Sequence, residues 1–92
     1  MEIKWTSRAL ESLFESTQYI RSENPMKARE VITGIQNAIE DLKMFPNLGV
    51  ATPFKNTRDL IHSKYDFLIR YRLVDESLIE IIFVWHASQG YR

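Results

Sequence analysis

The side chains best placed to move protons are His62, His86 and, next to last in the chain, Tyr91. Lys64, Arg58, Arg70 and Arg72 occupy the same third of the chain and can stabilise negative charge. One reaction class needs only these types. RNA is cut without a metal when its own 2′-hydroxyl attacks the phosphate, given a base, an acid and positive charge for the phosphorane. Other chemistries lack their parts. No H-E-x-x-H, Walker or dinucleotide-binding glycine pattern occurs, and no G-x-S-x-G elbow. The histidines have no pair of carboxylates beside them, so neither a metal nor a cofactor is expected. Each candidate also has an ordinary role. A histidine at a strand end packs against its neighbours, and Arg72 has Glu80 as a cross-strand partner.

A chain of 92 residues bounds what can surround such groups: a single domain, 1–92, with one core and little room for an enclosed cavity. Apolar residues make up 45% and charged residues 26%, which places the chain among globular proteins rather than disordered ones. The absence of cysteine excludes disulfides and thiolate metal sites and suits the reducing cytosol. No apolar run reaches membrane-spanning length and no signal peptide is recognisable, so a cytoplasmic location is expected. Twelve basic residues balance twelve acidic ones, which argues against a large phosphate-binding surface. The stretch 53–72 is a local exception, with Lys55, Arg58, Lys64, Arg70 and Arg72 against Asp59 and Asp66.

The positioning elements divide into a helical half and a strand half. Glu2-Ile3-Lys4-Trp5 alternates as a short strand does. Thr6 and Ser7 can cap a helix, and Ala9, Leu10, Leu13, Phe14, Thr17 and Ile20 recur on one helical face. Asn24-Pro25 ends that segment and opens the next, with Asn as N-cap and Pro at the first helical position. Ala28, Val31, Ile32, Ile35, Ala38, Ile39 and Leu42 form the second stripe, interrupted by Gly34 and stopped by Phe45-Pro46-Asn47-Leu48-Gly49. So short a connection between the two helices predicts an antiparallel hairpin.

Beyond residue 57 the period becomes two. Strands are expected at Arg58–His62, Asp66–Val74 and Leu78–His86, with Asp75-Glu76-Ser77 as the last turn. The fold class is therefore α+β, β-α-α-β-β-β, with the helical hairpin on one face of a small antiparallel sheet. Strict alternation puts Phe67, Ile69, Tyr71, Leu73, Ile79, Ile81, Phe83 and Trp85 under the helices. Val74 then lies opposite Leu78, and Arg72 opposite Glu80. Leu68, Arg70, Arg72, Val74, Leu78, Glu80, Ile82, Val84 and His86 fall on the other face. So many aliphatics on an uncovered face imply a partner, unless the C-terminal tail or a second copy covers them.

Several segments, in order, resemble the RelE/ParE toxins of type II toxin–antitoxin systems. Lys4-Trp5-Thr6-Ser7-Arg8-Ala9-Leu10-Glu11-Ser12-Leu13 is similar to their opening. Tyr19-Ile20, Asn24-Pro25 and Ala28 are similar to their inter-helix segment, and Leu42-x-x-Phe45-Pro46-x-x-Gly49 to their helix exit. Arg58-Asp59-Leu60, Ile69-Arg70-Tyr71-Arg72 and Ile79-x-Ile81-x-x-Val84-x-His86 resemble their last three strands. The resemblance implies a growth-inhibiting toxin and a cognate antitoxin protein that folds onto it. RelE-like members cut mRNA in the ribosome, using an arginine in the second-to-last strand and a basic cluster after the last. Here those places hold Leu68 and Ala87-Ser88-Gln89-Gly90. ParE-like members poison DNA gyrase without a catalytic set of their own, and this chain is closer to that branch. The alternatives are a ribosome-dependent, metal-independent mRNA endonuclease using His62, Lys64, His86 and Tyr91, or a non-toxic binding module. Antitoxin contacts are expected at Leu68, Arg70, Arg72, Val74, Ile82 and Val84, and target contacts at Arg58, Arg70 and Arg72.

Overall fold

The computed structural model describes residues 1–89. A first strand, β1 (Glu2–Trp5), leads into two 17-residue helices, α1 (Ser7–Glu23) and α2 (Pro25–Asp41). Four further strands follow: β2 (Val50–Ala51), β3 (Thr57–His62), β4 (Phe67–Leu73) and β5 (Leu78–His86), then a single 3-10 turn at Ala87–Gln89. The helix starts lie where the capping residues predict. Thr6 accepts from the Ala9 amide and Asn24 from the Lys27 amide, each satisfying a first-turn N–H that the helix itself cannot.

The sheet order is β1-β5-β4-β3-β2. Strands β2 to β5 are antiparallel neighbours, as the alternation implies. Two details lie beyond it. β1 runs parallel to β5, which the long crossover through both helices permits, and the short β2 extends the far edge. In the last hairpin Val74 donates to the Leu78 carbonyl, and Arg72 faces Glu80, the expected register.

That register then breaks. Tyr71 pairs with Ile81 but Arg70 pairs with Phe83, leaving Ile82 as an extra residue, a β-bulge. One extra residue exchanges the faces of everything after it. Two expectations are corrected as a result. Phe83 and Trp85 sit on the face away from the helices, and Val84 and His86 turn toward them. Val84 is fully buried in the core, where it joins Val31, Ile35, Ile39, Ile69 and Ile81.

The first helical stripe also needs correction. Leu10 and Phe14 remain 55% and 61% exposed, whereas Ser12 and Thr17 are buried. The hydroxyls explain this. β1 ends at Trp5 opposite Ile81, so the later half of β5 has no strand on that side. α1 lies there instead. Thr6 Oγ1 donates to the Ile81 carbonyl (2.8 Å), Ser12 Oγ accepts from the Val84 amide (2.9 Å), and Ser16 Oγ reaches the Val84 carbonyl (3.1 Å). Three side chains thus satisfy backbone groups that a sheet edge leaves open.

Gly34 is a point of close approach. A Cβ there would lie 2.9 Å from Tyr65 Cε2 and 3.3 Å from His62 Nε2, so its helical cost is offset by contact with the β3–β4 turn. Gly49 is pressed in the same way against Tyr71. The buried Tyr71 hydroxyl donates to the Pro46 carbonyl (2.7 Å) and accepts from the Gly49 amide (2.9 Å), pinning the helix exit to the sheet.

Candidate functional site

Among the described residues, the proton carriers do not converge. His62, Phe67 and His86 are consecutive partners across β3, β4 and β5, on the helix-covered face. Two strand spacings separate the histidines, roughly 10 Å, with the Phe67 ring between them. His86 packs edge-on against that ring (5.1 Å), and its Nδ1 lies 2.7 Å from Ser88 Oγ. His62 stacks on Tyr65 at 5.3 Å, and its buried Nδ1 has no hydrogen-bond partner among the described residues. Lys64 lies over the other side of that cluster, 5.3 Å from the Tyr65 ring. Tyr65 donates to Glu30, which also pairs with Lys27. These bonds hold the Glu30 carboxyl below its usual range, the tyrosine hydroxyl first among causes. His62 and Lys64 are therefore brought together with Tyr65, while His86 is placed elsewhere. Tyr91 lies outside the described residues.

The three arginines do not form one patch either. Arg58 is on the helix-covered face, where it donates to the Gly49 carbonyl (2.7 Å) and the Asn47 carbonyl (3.3 Å). Arg70 and Arg72 are on the open face, and both are engaged. Arg70 makes a two-pronged pair with Asp59, Nε to Oδ1 at 2.8 Å and a terminal nitrogen to Oδ2 at 3.0 Å. That hydrogen bonding raises the Arg70 pKa further above the physiological range. Arg72 bonds Glu80 as expected.

The open face is built on aromatic rings. Arg70 lies between Phe54 and Trp85, 5.7 and 5.3 Å from their centroids. Trp85 packs against Phe83 at 4.7 Å, and Arg8 of α1 covers Phe83 at 4.9 Å. Ile82, displaced by the bulge, is half-buried at the same place, and Leu68 is buried opposite Trp85. Between α1 and this face runs a groove of about 850 Å³, walled by Arg8, Glu11 and Glu15 and floored by Ile82, Phe83 and Trp85. Of the residues expected to meet a partner, Leu68, Arg70, Arg72, Val74 and Ile82 are on this face, and Val84 is not. Phe54, Phe83, Trp85 and the α1 wall were not legible as site residues. The visible signal was the unbroken apolar run Ile81-Ile82-Phe83-Val84-Trp85, in which alternation fails.

No group of side chains suited to hold a metal ion occurs among the described residues. The open face is an aromatic, ion-paired surface beside a helix, suited to holding another macromolecule. The fold has a counterpart among solved structures. A chain of the chromosomal ParDE TA system from P. aeruginosa superposes with a TM-score of 0.79, covering 94% of this chain and 95% of that one, at 21% sequence identity. At that identity the likeness shows the fold. Sequence goes further: residues 3–91 match the model of the ParE toxin of type II toxin–antitoxin systems, parDE. The candidate toxin Y4kP of Sinorhizobium fredii is 36% identical over 87 residues, 95% of this chain and 88% of that protein. The chain belongs to the ParE toxin family.

Proposed function

We propose that this toxin inhibits growth by poisoning DNA gyrase in the cytoplasm, and that a cognate antitoxin neutralises it. The observation that carries the reading is the dispersal of the catalytic candidates among the described residues. A general base must lie within hydrogen-bond reach of the proton it takes, and the charge stabilisers must face the same phosphate. Here Phe67 separates the two histidines, Arg58 is bound to backbone carbonyls on one face, and Arg70 and Arg72 are paired to carboxylates on the other. Such a molecule acts by gripping its target. Antitoxin docking is proposed for the open face, on Arg70, Arg72, Val74 and Ile82, with Leu68 beneath them. No helix among the described residues is long and apolar enough to cross a membrane, which is compatible with this location.

One cluster favours a second reading, ribosome-dependent mRNA cleavage. His62, Lys64 and Tyr65 meet beside α2 around a shallow pocket of about 420 Å³ that includes Glu30 and Asp41. Induced expression separates the two. Gyrase poisoning gives DNA breaks and an SOS response with intact transcripts. Cut transcripts without DNA breaks, lost in the His62→Ala variant, would establish the nuclease.

A further inference from the structure

We propose that the groove between α1 and the open sheet face receives an extended segment of a partner protein, one in which two basic side chains flank an apolar one. Four observations fix this chemistry. First, the floor is apolar and aromatic, from Ile82, Phe83 and Trp85. It takes an apolar side chain, and Ile82 is there because of the bulge. Second, the charges on the lining do not cancel. Arg70 is matched by Asp59, whereas Glu11 and Glu15 are exposed and make no ion pair among the described residues. Arg8 is the remaining cation, and it lies over the Phe83 ring. After the Arg70–Asp59 pair is set aside, the groove carries two carboxylates against one guanidinium. Phosphates are repelled by such a wall and basic side chains are drawn to it.

Third, the spacing of the carboxylates selects the form of the occupant. Glu11 and Glu15 are one helical turn apart, a rise of about 6 Å. Alternate side chains of an extended peptide are about 6.6 Å apart and point the same way, with the intervening one pointing opposite. A basic–apolar–basic tripeptide lying along α1 therefore sets one cation at each carboxylate and turns its apolar residue away from the helix, across Ile82, Phe83 and Trp85. Fourth, the segment is held through side chains. The neighbouring edge of β5 is closed, because Ser12 and Ser16 already bond the Val84 amide and carbonyl. This chemistry is independent of whether gyrase is the target.

The probe is a capped, Gly/Ser-flanked peptide with an arginine–leucine–arginine core, titrated into the whole chain and followed by NMR. It should shift the Trp85 indole and the amides of residues 11–15. The Glu11→Gln, Glu15→Gln double variant should weaken it about five- to tenfold. Neither carboxylate has an ion-pair partner among the described residues, so the unperturbed spectrum of that variant serves as the folding control. A glutamate–leucine–glutamate peptide should leave Trp85 unmoved. Three outcomes overturn the proposal: no shift at millimolar arginine peptide, equal shifts from both peptides, or affinity unchanged in the double variant. Titration of the same resonances by oligothymidylate would assign the groove to nucleic acid instead. Shifts that follow protein concentration alone would assign it to a second copy.

Discussion

The two faces of the sheet are made from the same strands and differ in almost every other respect. Under the helices lie Phe67, Ile69, Tyr71, Ile79, Ile81 and Val84, all fully buried, in a core in which the Tyr71 hydroxyl is bonded to the Pro46 carbonyl and the Gly49 amide. On the other face lie Arg70, Arg72, Phe83 and Trp85, where Arg70 lies over the Trp85 ring and both arginines are tied to carboxylates. The core face is specified by burial, worth about 25 cal/mol per Å² of apolar area and indifferent to direction. The open face is specified by geometry, since a forked guanidinium–carboxylate pair holds its partners at one orientation. Such pairs keep the open face ordered by the protein's own contacts. Its arginines are arranged by the protein's own acids.

The sharpest way to break this contrast is at the bulge, where neighbouring residues belong to different faces. Val84→Asp places a carboxylate among aliphatics and should abolish the folded state, a loss of at least several kcal/mol read by thermal melting. Ile82→Asp, two residues away, should leave the melt nearly unchanged and weaken antitoxin binding. Equal melts for both variants would mean that the bulge does not divide the faces as described.

A smaller loss is expected at Tyr71. Tyr71→Phe leaves the Gly49 amide and the Pro46 carbonyl without their partner and should cost about 1–3 kcal/mol. It should also alter the alkaline limb of stability. Burial raises the Tyr71 pKa in the folded protein, so folding favours the protonated phenol. The stabilisation is complete below the ordinary tyrosine value, about 10, and is lost as pH rises toward the higher folded value. The wild type should therefore lose stability above about pH 10 more steeply than the phenylalanine variant.

The ion pairs rank below that, in order of exposure. Asp59→Ala releases Arg70 from a pair whose side chains are only 19–21% exposed, and should cost roughly 1–2 kcal/mol. Arg72→Ala opens a pair in which Arg72 is half exposed, and should cost less than about 1 kcal/mol, falling further with salt. If both variants still bind antitoxin with wild-type affinity, the open face is scaffold rather than interface.

Most of this contrast could be read along the chain, and the exceptions share a cause. Caps at Thr6 and Asn24, the helical stripe of α2, the Arg72–Glu80 pair and the last hairpin's turn are local patterns, and local patterns are visible in sequence. The bulge at Ile82 was not, because a run of five apolar residues satisfies either face, and only packing decides which residue is extra. The burial of Ser12 was hidden for a related reason. Its value lies in a backbone partner at Val84, 72 positions away. The ion pair of Arg70 with Asp59 likewise depends on a β3–β4 register that residue types alone leave open. Of the residues expected together on the open face, Val84 is the one that the bulge turns into the core.

The proposed grip on gyrase, as against cutting of RNA, is tested by adding the purified chain to DNA gyrase and relaxed plasmid, and in parallel to translating ribosomes. The account predicts that supercoiling is inhibited with cleaved DNA accumulating, that the ribosome-bound message stays intact, and that equimolar antitoxin restores supercoiling. Undiminished supercoiling together with cleavage of the ribosome-bound message would contradict it.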